Sequence, residues 1–147
     1  MAPHDGVSTL SLRVANRRTG TLHDAAVNLA LIRRHHTLEG DVVWRADDLA
    51  LLRSRVQALS LVFTLRHAID AASPLHGLST EQLLAMDAQL VVAITGTDAT
   101  LAARVHAVRA YEPTDLLWGF RFADVMTVDA GGRTRIELAR LHEVVRV

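Results

Sequence analysis

The stretch Thr9–Val14, which reads TLSLRV, alternates polar and apolar side chains without interruption. A period of two places successive residues on opposite faces of an extended chain, so this segment predicts a half-buried β-strand. Residues Thr21–Ile32 continue the pattern more loosely, with Val27 and Leu29 on one predicted face and Asp24 on the other. The first third of the chain is therefore predicted to be extended.

Further strand signals follow along the rest of the chain. The predicted strands are Asp41–Trp44, Leu59–Leu65, Leu90–Ile94, Leu101–Val108, Phe120–Phe122 and Val125–Val128. The run Leu90–Ile94 is predicted to end in a turn at Gly96, and Gly131-Gly132 is predicted to supply the positive φ angles of a tight hairpin.

Helix signals are few. Ser79-Thr80-Glu81-Gln82 before Leu83 has the spacing of a capping box and predicts one short helix. Residues Asp47–Ala58 and Glu137–Val147 contain good helix formers, but we interpret both as extended or irregular. Many short strands and one short helix predict an all-β protein, a β-sandwich formed by a single domain over residues 1–147.

Composition excludes several classes of protein. The sixteen basic residues, all arginine, balance sixteen acids, so no dedicated nucleic-acid binder is expected. The absence of cysteine excludes disulfides, thiolate metal sites and a cysteine nucleophile. No apolar run approaches the roughly 20 residues that a membrane helix needs, which predicts a soluble polypeptide.

Candidate chemistry is weak throughout. His35-His36 would point to opposite faces of a strand and would need two more ligands for zinc, so we predict no metal site. Asp47-Asp48 is interpreted as a charged loop. The segment Gly96-Thr97-Asp98 lacks the glycines and lysine of a phosphate loop, and no serine sits in a nucleophile elbow. His67 could titrate as a pH sensor or be hydrogen-bonded at a sheet edge. The residues predict no enzyme.

An ordered set of short stretches carries a resemblance to a known family. The stretches are Arg13–Arg18, Thr37–Gly40, His67–Leu75, Gly96–Asp98, Leu117–Phe122 and Ile136–His142. In this order they resemble the cytoplasmic C-terminal domain of prokaryotic inwardly rectifying potassium channels. The pieces His-x-Ile-Asp-x-x-Ser-Pro-Leu and Trp-Gly-x-Arg-Phe are the most specific.

The resemblance implies an immunoglobulin-like β-sandwich that assembles as a homotetramer below a parent transmembrane pore domain, at the cytoplasmic face of the membrane. The ring would extend the path of potassium ions and regulate the gate. No catalysis and no cofactor are implied; potassium ions only pass along the assembled pore.

The resemblance also implies site residues. Asp24 aligns with an acidic position on the wall of the cytoplasmic pore, where a ring of acids concentrates cations. Gly96, Thr97, Asp98 and Thr100 match the loop that forms a girdle at the membrane-side mouth of that pore. Two departures from the eukaryotic pattern lower the expected affinity for cations: Thr95 replaces an acid, and segment 50–56 replaces an acidic stretch.

Arg17 and Arg18 are predicted to face anionic membrane lipids. Arg18 matches an arginine that responds to phosphoinositides in the eukaryotic branch, and juxtamembrane arginines are attracted to an anionic surface. The sign of the response stays open. A solvated turn is the alternative interpretation of Arg17 and Arg18.

Two other functions remain as alternatives. The chain could be a free-standing soluble β-sandwich that binds a ligand or a protein. A metal-dependent enzyme that uses His35 and His36 is the third hypothesis.

Overall fold

The computed structural model describes the backbone of residues 1–147 and every side chain apart from that of Thr134. Twelve β-strands and one short α-helix make up the regular structure. The strands are β1 (Ala2–His4), β2 (Val7–Ala15), β3 (Leu22–His36), β4 (Val42–Asp48), β5 (Arg55–Leu59), β6 (Val62–Ala68), β7 (Gln89–Asp98), β8 (Ala103–Tyr111), β9 (Phe120–Phe122), β10 (Met126–Val128), β11 (Thr134–Ile136) and β12 (Val144–Arg146). The helix α1 spans Thr80–Ala85, and two 3₁₀ turns span Pro113–Asp115 and Leu138–Arg140.

Two antiparallel sheets dominate the molecule. The small sheet has the order β1-β2-β6, and the large sheet has the order β4-β3-β7-β8, with β5 also paired to β3. Two further ribbons, β9 with β12 and β10 with β11, lie in the C-terminal part of the chain. The predicted all-β class is confirmed, and the arrangement is that of a β-sandwich with one short helix.

The core lies between the two sheets. Leu10 and Leu65 of the small sheet form one cluster with Val27, Leu29 and Leu90 of the large sheet. Leu65 is 0% exposed and Leu29 is 2% exposed, so water is excluded from the interface between the sheets. The predicted inner face of β3 is therefore the observed inner face.

The Ser79 capping box is present as predicted. The Ser79 hydroxyl accepts from the backbone N–H of Gln82, and the Gln82 side chain accepts from the backbone N–H of Ser79. Leu83 of α1 is buried in the core. The two segments of high helix propensity are extended or irregular, as we interpreted them, because their backbone contributes β5, β12 and a 3₁₀ turn.

Three strand predictions are corrected by the structure. Leu59–Leu65 is not one strand: β5 ends at Leu59, the chain bends, and Leu61 is exposed. Gly96 does not end a strand, because β7 continues to Asp98 and the turn spans residues 99–102. In the hairpin between β10 and β11, Gly132 has a positive φ of 76° but Gly131 does not.

The strand predicted at Leu101–Val108 exists as β8, but no face of it is fully buried. Every residue of β8 is exposed or half-buried, so no second layer of the chain fully covers either face of this strand. Alternation in sequence reports two faces of a strand, and it cannot report whether a second layer covers one of them.

A half-buried acid joins the two N-terminal strands of the large sheet. Asp47 of β4 receives hydrogen bonds from Arg33 Nε at 3.0 Å and from Arg45 Nε at 2.7 Å. Burial disfavours the charged form of Asp47, but the hydrogen bonds from Arg45 and Arg33 outweigh it and lower the pKa of the carboxyl. Asp47-Asp48 is therefore part of a strand and not the charged loop that the sequence suggested.

Candidate functional site

The structure brings most of the predicted site residues to one end of the large sheet. We call this the turn end; it comprises loop 16–21 between β2 and β3, the bend 60–61, and turn 99–102 between β7 and β8. The backbone N–H of Ala99 donates to the carbonyl of Thr21 at 3.1 Å, and the Thr21 hydroxyl lies 3.2 Å from that of Ser60. Segments far apart in sequence are thus held together.

Asp24 lies at an irregularity in β3. His23 pairs with Thr97 and Ala26 pairs with Thr95, so two residues of β3, Asp24 and Ala25, lie opposite Gly96 alone. Asp24 has a φ of 49°, in the left-handed region that aspartate tolerates better than most residues. A bulge of this kind re-aims a side chain, and the Asp24 carboxylate is left exposed to water.

Gly96 is the residue that makes room for this bulge. A Cβ atom at position 96 would lie 2.7 Å from Leu22 Cγ and 3.0 Å from the carbonyl oxygen of His23. Gly96 is itself buried inside β7. The sequence predicted a close-packed, flexible turn at Gly96; the glycine is close-packed, but it lies inside a strand, where it allows the close approach of β3 and β7.

The Asp98 carboxylate organises the turn that follows. Its Oδ1 accepts from the backbone N–H groups of Thr100 at 2.9 Å and Leu101 at 3.0 Å. Asp98 is 5% exposed, so its hydrogen-bonding capacity is used within the chain. Thr97 and Thr100, by contrast, are exposed.

Arg18 reaches the same carboxylate from the neighbouring loop. Its Nη1 lies 3.7 Å from Asp98 Oδ2, and two thirds of the Arg18 side chain remains exposed. Gly20 packs against the turn so closely that a Cβ there would lie 2.5 Å from Thr100 Oγ1. Arg17 is exposed as well and borders a separate cleft between the sheets. The predicted lipid-facing and girdle residues therefore share one surface.

The outer face of the large sheet is a feature that the sequence did not reveal. It carries Ala26, Ala30 and Ile32 of β3, Val91 and Ala93 of β7, and Val108 of β8. None of these six side chains is buried, and Val108 is 63% exposed. In the sequence, small apolar residues alternate with the core residues of these strands, and this pattern could have indicated an uncovered apolar face. The same pattern also fits strands that are buried on both faces.

The most specific motif of the resemblance is a buried hydrogen-bond network. His67 is 4% exposed; its Nδ1 lies 2.8 Å from the Ala50 carbonyl oxygen and its Nε2 lies 2.7 Å from the Ser73 hydroxyl. Because a carbonyl only accepts, Nδ1 carries a proton; in the neutral ring, Nε2 then accepts from Ser73. Ser73 Oγ in turn accepts from the backbone N–H of Leu75. The hydrogen-bonded interpretation of His67 is confirmed.

His35 and His36 end β3 and are both exposed, opposite Val43 and Val42 of β4. Across the side chains that the structure describes, no group of three or more His, Cys, Asp or Glu residues is placed to hold a metal ion. Over that same part of the chain, no helix is both long and apolar enough to cross a membrane.

Comparisons with known proteins identify the family of the chain. The sequence profile of the inward rectifier potassium channel C-terminal domain matches residues 1–147. The inward rectifier potassium channel Kirbac3.1 of Paramagnetospirillum magnetotacticum is 37% identical over 142 residues, which cover 97% of this chain and 48% of that protein.

Mammalian relatives match as well. The ATP-sensitive inward rectifier potassium channel 10 of Homo sapiens is 29% identical over 155 residues, covering all of this chain and 40% of that protein. The ATP-sensitive inward rectifier potassium channel 12 of Mus musculus is 30% identical over 152 residues, covering all of this chain and 35% of that protein. The chain thus spans half or less of the length of these relatives. It belongs to the inward rectifier potassium channel C-terminal domain family.

Proposed function

We propose that the chain is the cytoplasmic, pore-extending and gating-regulatory domain of a potassium channel, and that it works as a homotetramer joined to a transmembrane pore. It catalyses no reaction and needs no cofactor; potassium ions pass along its axis. The observation that carries the proposal is the exposed carboxylate of Asp24, held by a bulge at the turn end of an uncovered sheet.

The uncovered outer face supports assembly. Its centre carries small apolar side chains and the uncharged Asn28, and Trp44 of β4, which is 66% exposed, extends it along the sheet. Apolar surface of this kind marks a protein–protein interface, because water gains freedom when it is covered. A second copy of the same chain is the partner that a closed ring requires.

Electrostatics supports the role of Asp24. Four copies of an exposed carboxylate around a narrow aqueous hole concentrate cations, because the low-dielectric wall focuses their field. Thr95 lies on the outer face in register with Ala26 and contributes no charge. Asp98 is committed to its own turn, so Asp24 supplies the acidic ring at this level and Thr97 and Thr100 supply polar groups beside it.

A cysteine substitution tests the ring directly, since the chain has no cysteine of its own. We expect Asp24→Cys to give covalent dimers with a short bismaleimide at protein concentrations where native mass spectrometry shows a tetramer. The matched variant is His76→Cys, exposed in the segment between β6 and α1. It should give no covalent dimer under the same treatment. Equal cross-linking of the two variants, or a monomer at every concentration, would contradict the proposal.

The turn end is proposed to face the anionic surface of the membrane. Arg17 and Arg18 are both exposed there. The distance of 3.7 Å from Arg18 to Asp98 is long for an ion pair, so the guanidinium keeps donors free for a lipid headgroup. A lipid headgroup that contacts Arg18 would act on turn 99–102 through the Asp98 carboxylate.

Removing both charges should weaken binding to lipid vesicles. Each arginine near an anionic surface contributes about 1 kcal/mol, so the double variant Arg17→Gln, Arg18→Gln should lose roughly 30-fold in affinity. The measurement is sedimentation with phosphatidylcholine vesicles that contain phosphatidylinositol bisphosphate. The control Arg133→Gln, Arg135→Gln removes two exposed charges from the β10–β11 hairpin. If both double variants lose affinity equally, net charge and not the turn end governs binding.

A further inference from the structure

A cleft of about 670 Å³ opens between the edge of β2, the end of β8 and the C-terminal ribbon. It is distinct from the outer face and shares only Arg17 with the turn end. Its apolar wall includes Leu10, Leu12, Leu116, Phe120, Phe122 and Val144. A volume of this size is that of a small-molecule site rather than of a packing defect.

The charged side chains of the cleft are mostly positive. Arg13, Arg17, Arg109 and Arg121 line it with His142, against the single carboxylate of Asp115. Asp115 already accepts from the backbone N–H of Glu112 at 2.9 Å. Among the side chains that the structure describes, none of the four arginines has a carboxylate within 4 Å. The side chains that line the cleft therefore carry a formal surplus of three positive charges.

Arg13 adds an independent observation. Its Nη2 donates to the Ala123 carbonyl at 2.8 Å, and its guanidinium lies 4.4 Å from the centre of the Phe122 ring. Its Nε is buried and has no hydrogen-bond partner among the described residues. A buried unpaired donor is costly, and native proteins leave few of them without a partner or a ligand. Arg13 thus packs its guanidinium in the wall of the cleft, while its Nε is too deeply buried to reach a ligand there.

We propose that this cleft binds an amphipathic monoanion, an acyl chain that ends in a carboxylate. The apolar wall takes the chain, and the guanidinium groups of Arg109 and Arg121 take the carboxylate, whose planar oxygens match a guanidinium fork. A polyhydroxylated ligand would find few acceptors, because Asp115 is the one carboxylate of the lining and it is already engaged. This site goes beyond the proposed channel function and does not depend on tetramer formation.

Titration calorimetry of the whole 147-residue chain tests the site. The probes are decanoate, decyltrimethylammonium and inorganic phosphate, so that the apolar chain and the head charge are varied separately. Decanoate should bind with one-to-one stoichiometry. The other two probes should each bind at least about tenfold more weakly, because decyltrimethylammonium lacks the carboxylate and phosphate lacks the apolar chain. Amide shifts in the NMR spectrum should map the decanoate complex to β2 and β9.

Two variants assign the head-group contact. Arg109→Gln, Arg121→Gln should weaken decanoate by about tenfold or more, the loss expected for charge-assisted hydrogen bonds. Arg104→Gln is the matched control: it lies on the same strand but in register with Thr97, on the opposite face from Arg109, and it does not line the cleft. It should stay within about twofold of the parent.

Several outcomes overturn the proposal: no binding of decanoate to the parent chain, equally tight binding of decyltrimethylammonium or phosphate, or unchanged affinity in the Arg109, Arg121 double variant. Amide shifts confined to the outer face would overturn it as well. The melting temperature of each variant is compared with that of the parent chain. An unchanged melting temperature shows that lost decanoate binding comes from the site and not from misfolding.

Discussion

Replacing Gly96 by valine is expected to destabilise the domain by about 3 kcal/mol, the upper end of the usual cost of overpacking. The Cβ would lie 2.7 Å and 2.9 Å from two side-chain atoms of Leu22 and 3.0 Å from the His23 carbonyl oxygen. The last of these is a backbone atom in the bulge that holds Asp24, so it can move only if the bulge changes. Denaturation in urea should show the loss, and heating should show a melting temperature lower by about 10 °C.

The matched control is Gly131→Ala in the β10–β11 hairpin. Gly131 does not have a positive φ, and its Cβ would meet only the Asp129 carboxylate at 3.3 Å. We expect its unfolding free energy to stay within about 0.5 kcal/mol of the parent. If Gly96→Val matches this control, the strands are not as close at the bulge as the structure has them.

The Gly96 variant also connects stability to the proposed function. Any shift of β7 away from β3 displaces Asp24, because its bulge is defined by the register of those two strands. In the Asp24→Cys background, Gly96→Val should therefore reduce the yield of bismaleimide cross-linking more than it reduces the fraction of tetramer in native mass spectrometry. If the double variant keeps full cross-linking, the position of residue 24 does not depend on the packing at Gly96.

Truncating His67 to alanine is expected to cost about 3 kcal/mol of unfolding free energy, since it removes a buried ring together with the hydrogen bonds that two polar groups make to it. Those groups are the Ala50 carbonyl and the Ser73 hydroxyl, at 2.8 Å and 2.7 Å from the ring nitrogens. Ser73→Ala should cost about 2 kcal/mol, because it leaves His67 Nε2 and the Leu75 N–H unsatisfied.

A double-mutant cycle tests whether the two side chains act as one network. The double variant His67→Ala, Ser73→Ala should be more stable than the sum of the single losses predicts, by about 1 kcal/mol, because their mutual hydrogen bond can be lost only once. His106→Ala, on the exposed strand β8, serves as the control and should change stability by less than about 0.5 kcal/mol. Strict additivity would mean that the hydrogen bond between them contributes nothing.

The His67 result bears on why this motif is so specific in sequence. In His-x-Ile-Asp-x-x-Ser-Pro-Leu, the histidine and serine bond to each other, the backbone N–H of Ser73 donates to the Asp70 carbonyl, and Leu75 is 1% exposed. The histidine, the serine and the final leucine of the motif therefore each have a packing or hydrogen-bonding reason. The resemblance recognised a structural requirement, and the residues proposed for ion and lipid contacts lie elsewhere.

Local periodicity was enough to predict the strands whose two faces differ. In β2 and β3 the large core residues alternate with residues that remain exposed or half-buried over most of each strand, so alternation in sequence largely follows alternation of burial. The capping box of α1 was equally local, since the donors and acceptors lie within three residues of one another. These features need no knowledge of distant segments.

Local reasoning was wrong where distant segments decide the outcome. Gly96 looked like a turn because glycine allows unusual φ angles, but the reason for it is the side chain of Leu22, more than seventy residues away in sequence. Leu61 looked like a core residue and is exposed, because the chain bends between β5 and β6. The residues next to Gly96 and Leu61 in sequence indicate neither this contact nor this bend.

By itself, the sequence determined the all-β class, the inner face of β3, the capped helix and the family, because short-range stereochemistry and ordered motifs carry that information. Only the tertiary structure decided that Asp24 stands on a bulge opposite Gly96, that Asp98 is turned inward, and that four arginines gather in one cleft. These depend on the register between strands and on the packing of two sheets, where one residue of shift moves every side chain to the opposite face.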